Sequence, residues 1–414
     1  MKRKWLAVGI ILLFIGTAII PSSGQNIEKS SSASRGNWLY VGGSGPGNYT
    51  KIQDAIDNAS DGDTVFVYKG IYNESITIEK ALTLTGEDKN FTIINAQAWP
   101  SSPDTISVEA DMVIITGFTI RHETPFLGDG IFILLSYNVL VFNNIILKGG
   151  CGIGCYQSSG ILISENIISE NYDGVKIMLG FSCDVTKNYI VHNNFSGIDM
   201  YNVYVCHIAD NTLMSNSQGI SIHSSHSCTV ENNSVMYCKW DGINIDQTAY
   251  SSARNNSVMY CYDAMTFYHA DFCEITSNRF SANLQRQLYL GGALGGSITH
   301  NVFENSSEGI ELFLCEGVLI TENSISNHTL YPLLADHSFY VNVTRNNFKN
   351  NNPHLYFWDS TLLWNQNYWG RPMILPKPII GMRSTNVFNH FVNFPVVNFD
   401  WHPAKEPYDI PGLR

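Results

Sequence analysis

Between residues 141 and 348 the chain repeats one short pattern of apolar and polar positions. An apolar or β-branched residue is followed by two residues, an asparagine, one residue and a second apolar residue, and a polar turn then leads to Gly-Ile. The asparagines are Asn144, Asn166, Asn188, Asn211, Asn233, Asn256, Asn278, Asn301, Asn323 and Asn346, spaced by 22, 22, 23, 22, 23, 22, 23, 22 and 23 residues. Residues such as Val141, Ile163, Ile208 and Val343 stand three positions before them, and Ile146, Ile168, Phe280 and Phe348 two positions after. Alternating runs this short predict strands of two to five residues, stable only when equivalent residues of successive coils stack over a shared core. The spacing predicts an all-β protein, a right-handed parallel β-helix of about ten coils with neighbouring strands ~4.8 Å apart. A leucine-rich repeat shares the period but needs a helical half, and no coil here contains a helical run.

Stacked asparagines can hydrogen-bond to the next coil and satisfy the backbone of the bend. Five residues after the anchors a second ladder reads Asn171, Asn193, Asn216, Cys238, Cys261 and Asn283, with two cysteines in asparagine positions. Glycines at the following turn (Gly152, Gly174, Gly197, Gly219, Gly242, Gly309) fit a bend with positive φ or a close backbone approach. Upstream, Tyr49, Ile52, Ala55, Ile56 and Ala59 share one helical face, which predicts a short helix over 49–59 capping the first coil. Segments 76–84, 91–94, 105–108 and 112–120 read as less regular coils, and 95–104 and 121–130 as loops. Beyond Asn346 the period gives way to Trp358, Trp364, Trp369 and Pro372, Pro376 and Pro378, so an irregular segment is expected to close the last coil.

These boundaries divide the chain into an export signal at 1–24, a linker at 25–36, the β-helix at 37–370 and a C-terminal cap at 371–414. Met1-Lys2-Arg3-Lys4 and the apolar run Trp5 to Ile20 read as a cleaved signal, with an uncleaved membrane anchor as the alternative. The protein is therefore expected to be secreted or held at the cell surface. A net charge of -12 without a basic stripe beyond the N-terminus argues against a nucleic-acid partner.

The cysteines number nine. Cys183, Cys206, Cys228 and Cys273 fall five residues before the anchors and point inward by alternation, as a stack of small buried side chains. No metal or cofactor is expected. Cys206 and Cys228 with His226 lack compact ligand spacing, and Cys151 and Cys155 miss a C-x-x-C pair by one residue. Asp104, His122, Glu123 and Asp129 read as an exposed loop rather than a calcium site. Asn-x-Ser/Thr acceptor sites, among them Asn194, Asn232, Asn255 and Asn327, accompany the turns.

The strand after each glycine turn presents an outward column, read as Met178, Tyr201, His223, Asp246, Tyr268, Tyr289 and Phe313. Two residues earlier runs Lys176, Asp199, Ser221, Asn244, Thr266, Gln287 and Glu311. Rings and carboxylates on one sheet face suit an extended sugar polymer. Lys176, Tyr201, Tyr268, Tyr289 and Glu311 are the candidate substrate-binding residues. His223 and Asp246 should be neighbours, and Asp199 and Asp246 roughly 12 Å apart at Cα, so Asp199, His223 and Asp246 are the candidate catalytic residues.

The opening block YTKIQDAIDNASDGDTVFVYKGIYNESITIEKALTLTG, the N-x-I, turn, G-I coils and Asn367-Tyr368-Trp369-Gly370 resemble the NosD-like and carbohydrate-active families of parallel β-helix proteins, of the pectin-lyase-like superfamily. The resemblance covers about residues 38–370, and the composition and tail look archaeal. It implies the fold and a broad range of roles, and it carries over no catalytic signature. A polysaccharide-interacting surface protein is the leading expectation. A non-enzymatic structural or adhesive envelope protein and a metal-site accessory protein are the alternatives.

Overall fold

The computed structural model describes residues 36–96, 104–122, 127–352, 355–387 and 390–410. The export signal and most of the linker, with Glu123, lie outside these residues. Each coil contributes one strand to each of three parallel sheets. In one coil these are Leu162–Ser164 in sheet 1, Ile167–Ser169 in sheet 2 and Asp173–Met178 in sheet 3. The sheets hold 15, 13 and 15 strands. Sheet 1 begins at Trp38–Val41, so the solenoid starts well before the asparagine repeat. The upstream segments are full coils in register, with Ile76 beside Ile106, then Ile131, then Ile153. A helix at Ile52–Asn58 covers the first coil with Ile52, Ala55 and Ile56 buried. It is shorter than its apolar face suggests because Glu74 accepts from the Ile52 and Gln53 amides, at 2.9 and 3.2 Å, and fixes the first turn there. At the other end the expected cap is an antiparallel hairpin, Lys377–Val387 with His390–Asp400, joined to sheet 3 where Met382 meets Trp358.

The anchor asparagines fasten each coil to the next. The Asn166 amide N donates to Asn188 Oδ1 at 3.0 Å, while its Nδ2 donates to Val141 O at 2.8 Å and to Asn188 Oδ1 at 3.1 Å. The same set recurs from Asn144 to Asn367, one anchor beyond the regular period. Asp400, fully buried, ends the ladder by accepting from Asn367 N at 2.9 Å and Nδ2 at 3.2 Å. A carboxylate accepts and never donates, so it closes the row without needing a further partner above it. The second ladder is also built as expected, with Cys238 N donating to Cys261 Sγ at 3.4 Å and Cys261 N to Asn283 Oδ1 at 2.9 Å. Further on, this column is filled by Ser306 and His328, and His328 N donates to Asn351 Oδ1 at 3.0 Å. All nine cysteines are free, and Cys183, Cys206, Cys228 and Cys273 stack inside.

The bends are not made by the turn glycines. The residue before each anchor takes the left-handed conformation, for example Glu165, Lys187 and Asp210, each at φ 57°. Gly152 serves close approach instead, since a Cβ there would meet the Gly174 carbonyl oxygen at 2.6 Å and Ile168 Cγ2 at 2.6 Å. From Asn166 onward the alternation of 22 and 23 residues has one source. Sheet 3 start to anchor is always 15 residues (Asp173 to Asn188, Ser196 to Asn211), and anchor to second ladder is always 5. The turn into sheet 3 is then 2 or 3 residues in alternate coils (Asn171 to Asp173, Asn193 to Ser196), giving 15 + 5 + 2 = 22 or 15 + 5 + 3 = 23.

Truncating Asn233 should cost on the order of 3–5 kcal/mol in urea unfolding, because it strands the Ile208 and Glu231 carbonyls and the Asn211 donors in the interior. Burial pushes the His328 imidazole down to about 4. Its contribution to stability is full above about 6.5 and is lost as pH falls towards 4, because the unfolded chain takes up the proton first. The His328→Asn variant should therefore lose roughly 2–3 kcal/mol less than the parent between pH 7 and pH 4.5, read from unfolding midpoints.

Candidate functional site

Sheet 3 differs from the other two in the length and chemistry of its strands. Its strands run to six residues against three in the others, so each coil carries a wider outward face there. The trailing column reads Met178, Tyr201, His223, Asp246, Tyr268, Gly291 and Phe313 by strand register. The middle column reads Lys176, Asp199, Ser221, Asn244, Thr266, Tyr289 and Glu311. Tyr289 therefore belongs to the middle column, not to the trailing one. The sequence misleads here because Ala264 and Gln287 replace the turn glycine in two successive coils. Gln287 points inward, where its Oε1 accepts from Asn283 Nδ2 at 2.6 Å and its Nε2 donates to Glu304 O at 2.6 Å.

A leading column at the mouth of the same strands carries Asp173, Ser196, Gln218, Asp241, Asp263, Arg286 and Glu308. Single-strand alternation did not bring these residues into the candidate site, because they sit three residues from the middle column rather than two. Several of the acids are built into the scaffold. Asp129, Asp173 and Asp263 accept the backbone N–H of Cys151, Ser196 and Arg286 on the next coil, at 2.6, 3.0 and 3.0 Å. Among the described residues no group of three or more His, Cys, Asp or Glu is placed to hold a metal ion. Asp104 and Asp129 are tied together, Asp104 Oδ1 accepting the Asp129 N–H at 2.9 Å. His226 faces outward while Cys206 and Cys228 face in. Cys151 and Cys155 lie at the two ends of a four-residue span along one strand, ~13 Å apart, which rules out a local clip.

The floor divides into three groups. In the first, Lys176 Nζ lies 3.2 Å from Asp173 and 3.1 Å from Asp199. Burial opposes its charge, but the two carboxylates outweigh burial and hold the ammonium above the ordinary lysine range. Asp199 is turned towards this lysine, and the coil bearing Ser221 and His223 separates it from Asp246. By strand register Asp199 stands two coils from Asp246, in the middle column rather than the trailing one. In the second group, Ser221 Oγ lies 2.5 Å from His223 Nε2, and His223 Nδ1 lies 3.7 Å from Asp246 Oδ2. In the third, Arg286 clamps Asp263 through Nε at 3.1 Å and Nη2 at 2.6 Å and reaches Glu311 at 3.2 Å. Its guanidinium sits 4.6 Å from the Tyr289 ring centre, and Tyr289 lies 4.9 Å from Tyr268. Beside it, desolvation and the neighbouring Asp263 push Asp241 up to about 6.

Exposed rings fence this floor on both sides. On the turn entering sheet 3, Tyr172 stacks on Phe195 at 5.8 Å and Trp240 meets Tyr262 at 6.3 Å. On the turn leaving it, Tyr204, His226, Tyr250 and Phe272 follow one another at 6.5, 5.2 and 5.4 Å. The sequence signal for the first fence is the alternating two- or three-residue turn, whose added residue accompanies Phe195 and Trp240.

Matches to the right handed beta helix region family at residues 71–205, 104–258 and 241–367 together span 71–367, and the chain belongs to that family. Its three sheets of stacked parallel strands are the right-handed β-helix that the family name describes. A cell surface glycoprotein of Methanothermus fervidus is 43% identical over 74 residues, which are 17% of this chain and 12% of that protein. This chain therefore matches only a short part of that relative's length. Similar solved structures include the A-module of the mannuronan C-5 epimerase AlgE6 of Azotobacter vinelandii, at 15% identity and TM-score 0.54, covering 66% of this chain and 88% of the other. The lidless DFA-IIIase of Arthrobacter chlorophenolicus A6 matches at 12% identity and TM-score 0.55, over 69% and 94%. The pre-mature gene product 12 of bacteriophage phi29 matches at 13% and 0.51, over 77% and 51%. At these identities the likeness is one of fold.

A carboxyl raised in the folded state favours folding at low pH, and this contribution fades as pH rises through the folded value. For Asp241 that window runs from about 4 to about 6. The Asp241→Asn variant should therefore be more stable than the parent by roughly 1–3 kcal/mol at pH 8, and the gain should vanish by pH 4 in thermal melts.

Proposed function

We propose that the chain is an extracellular or cell-surface protein that binds an extended polysaccharide along the outward face of sheet 3. The observation that carries this reading is the long polar floor between two fences of exposed aromatic rings. A sugar presents apolar faces that stack on rings and hydroxyls that bond to carboxylates, amides and guanidinium groups. Lys176, Tyr201, Tyr268, Tyr289 and Glu311 all lie on this floor or its aromatic edge, in the register described above. The export signal read from residues 1–24 and the match to a cell surface glycoprotein support the location. The name of the mannuronan epimerase, a relative in fold, is in keeping with a carbohydrate ligand. The scaffold role of Asp129, Asp173 and Asp263 supports a second reading, in which the chain is a non-enzymatic rod of the envelope.

Depletion of acidic and neutral polysaccharides by the purified protein tests the reading. Retention of at least one polymer is expected, weakened about tenfold for each ring removed in Trp240→Ala and Tyr268→Ala. Absence of retention across the panel, or retention unchanged in the double variant, would leave the rod as the better account.

A further inference from the structure

We infer that Ser221, His223 and Asp246 form an acyl-transfer centre that removes O-acyl ester groups from a polysaccharide lying on this face, an inference whose substrate rests on the reading above. Ser221 and His223 are two residues apart on one strand, so both side chains leave the same side of sheet 3. The hydroxyl oxygen is 2.5 Å from His223 Nε2. Asp246 is the in-register partner of His223 on the next coil, with its Oδ2 3.7 Å from Nδ1. With the imidazole proton on Nδ1, the nitrogen facing the Asp246 carboxylate, Nε2 is free to accept from Ser221. The 3.7 Å separation is ion-pair distance, and both side chains are about one-third exposed, so they can rotate together when a ligand displaces water.

The surroundings suit an acyl group. Ser221, itself only 1% exposed, lies at the bottom of a cleft of about 410 Å³ whose walls include Met178, Phe195 and Tyr201. Lys176 and Gln218 line the same cleft. The lysine ammonium and the Gln218 amide, whose contact with Asp241 is a long 3.5 Å, are donors available to a carbonyl oxygen as it becomes negative. Ser221 Oγ bonds to the ester carbon as its proton passes to His223 Nε2. The carbon–oxygen bond to the sugar then breaks, and the same proton goes to the departing sugar oxygen. Water, deprotonated by Nε2, splits the acyl-serine into a carboxylic acid and free Ser221. His223 and Ser221 touch the reacting atoms, while Asp246 is a positioning residue acting through His223.

The full chain, treated with a fluorophosphonate probe and mapped by peptide mass, should carry one adduct at Ser221. It should hydrolyse 4-nitrophenyl acetate and release acetate from acetylated xylan. Ser221→Ala should abolish both the adduct and ester turnover. Asp246→Asn should lower kcat on the order of a thousandfold or more and move the acidic limb of the pH profile, which loss of a merely structural contact would not do. Labelling of the parent protein does not depend on any variant folding. No adduct at Ser221, or hydrolysis unchanged in Ser221→Ala, overturns the centre even where polymer is retained. A labelled, ester-cleaving Ser221 in a protein that retains no polymer supports the centre and removes the polysaccharide reading instead.

Discussion

Each anchor carboxamide accepts through its oxygen from the coil before it, while its nitrogen donates to a carbonyl of that preceding coil and to the asparagine oxygen of the next, and the rest of the molecule is hung on that arrangement. The left-handed bends are costly for residues with a side chain, at about 1–2 kcal/mol each. They persist because the adjoining asparagine satisfies the carbonyl two residues before it and one on the preceding coil. With the corner fixed, the apolar residues three before and two after the anchor have no choice of face, and the core follows. The corner also fixes where the next strand begins, and so which side chains reach the outward face of sheet 3.

Acidic groups on that face do two jobs that pull in opposite directions. Asp129, Asp173 and Asp263 each accept a backbone N–H from the following coil, whereas the asparagine oxygens of the ladders accept from the coil before. Unlike an amide, each brings a charge that must be kept near water or near a cation. Lys176 and Arg286 are placed among them for that purpose. Asp241 lacks such a clamp, and desolvation and the neighbouring Asp263 push its carboxyl up to about 6, as burial does for Asp129. Structural demand and chemical potential are thus concentrated in the same residues.

The rod was legible in the sequence because Asn144 to Asn346 repeat with a period no mixed domain would show, and the apolar positions flanking them are equally regular. The coils upstream of Asn144 were harder to read because they lack the ladder asparagine and vary in length. The pairing of His223 with Asp246 followed directly from the period. The place of Tyr289 did not, since its strand has no glycine to mark the turn and Gly291, two residues on, is the partner of Tyr268. The leading column was missed for a different reason: its side chains meet the middle column across a three-residue step that simple alternation does not describe. Phe195 and Trp240 carry no core signal at all, being exposed corner residues.

The turn into sheet 3 gives the rod two rulers of different length. Inside, the coils from Asn166 to Asn346 are equivalent at the anchor, and the core and anchor ladder repeat each ~4.8 Å step. Outside, a corner of three residues alternates with one of two, so the surface repeats only every second coil, at roughly 9.6 Å. The true unit of the exterior is a pair of coils totalling 22 + 23 = 45 residues. Loss or duplication of a single coil would preserve the interior while shifting every corner beyond it out of phase. Gain or loss of a whole pair would lengthen or shorten the molecule and leave both rulers intact.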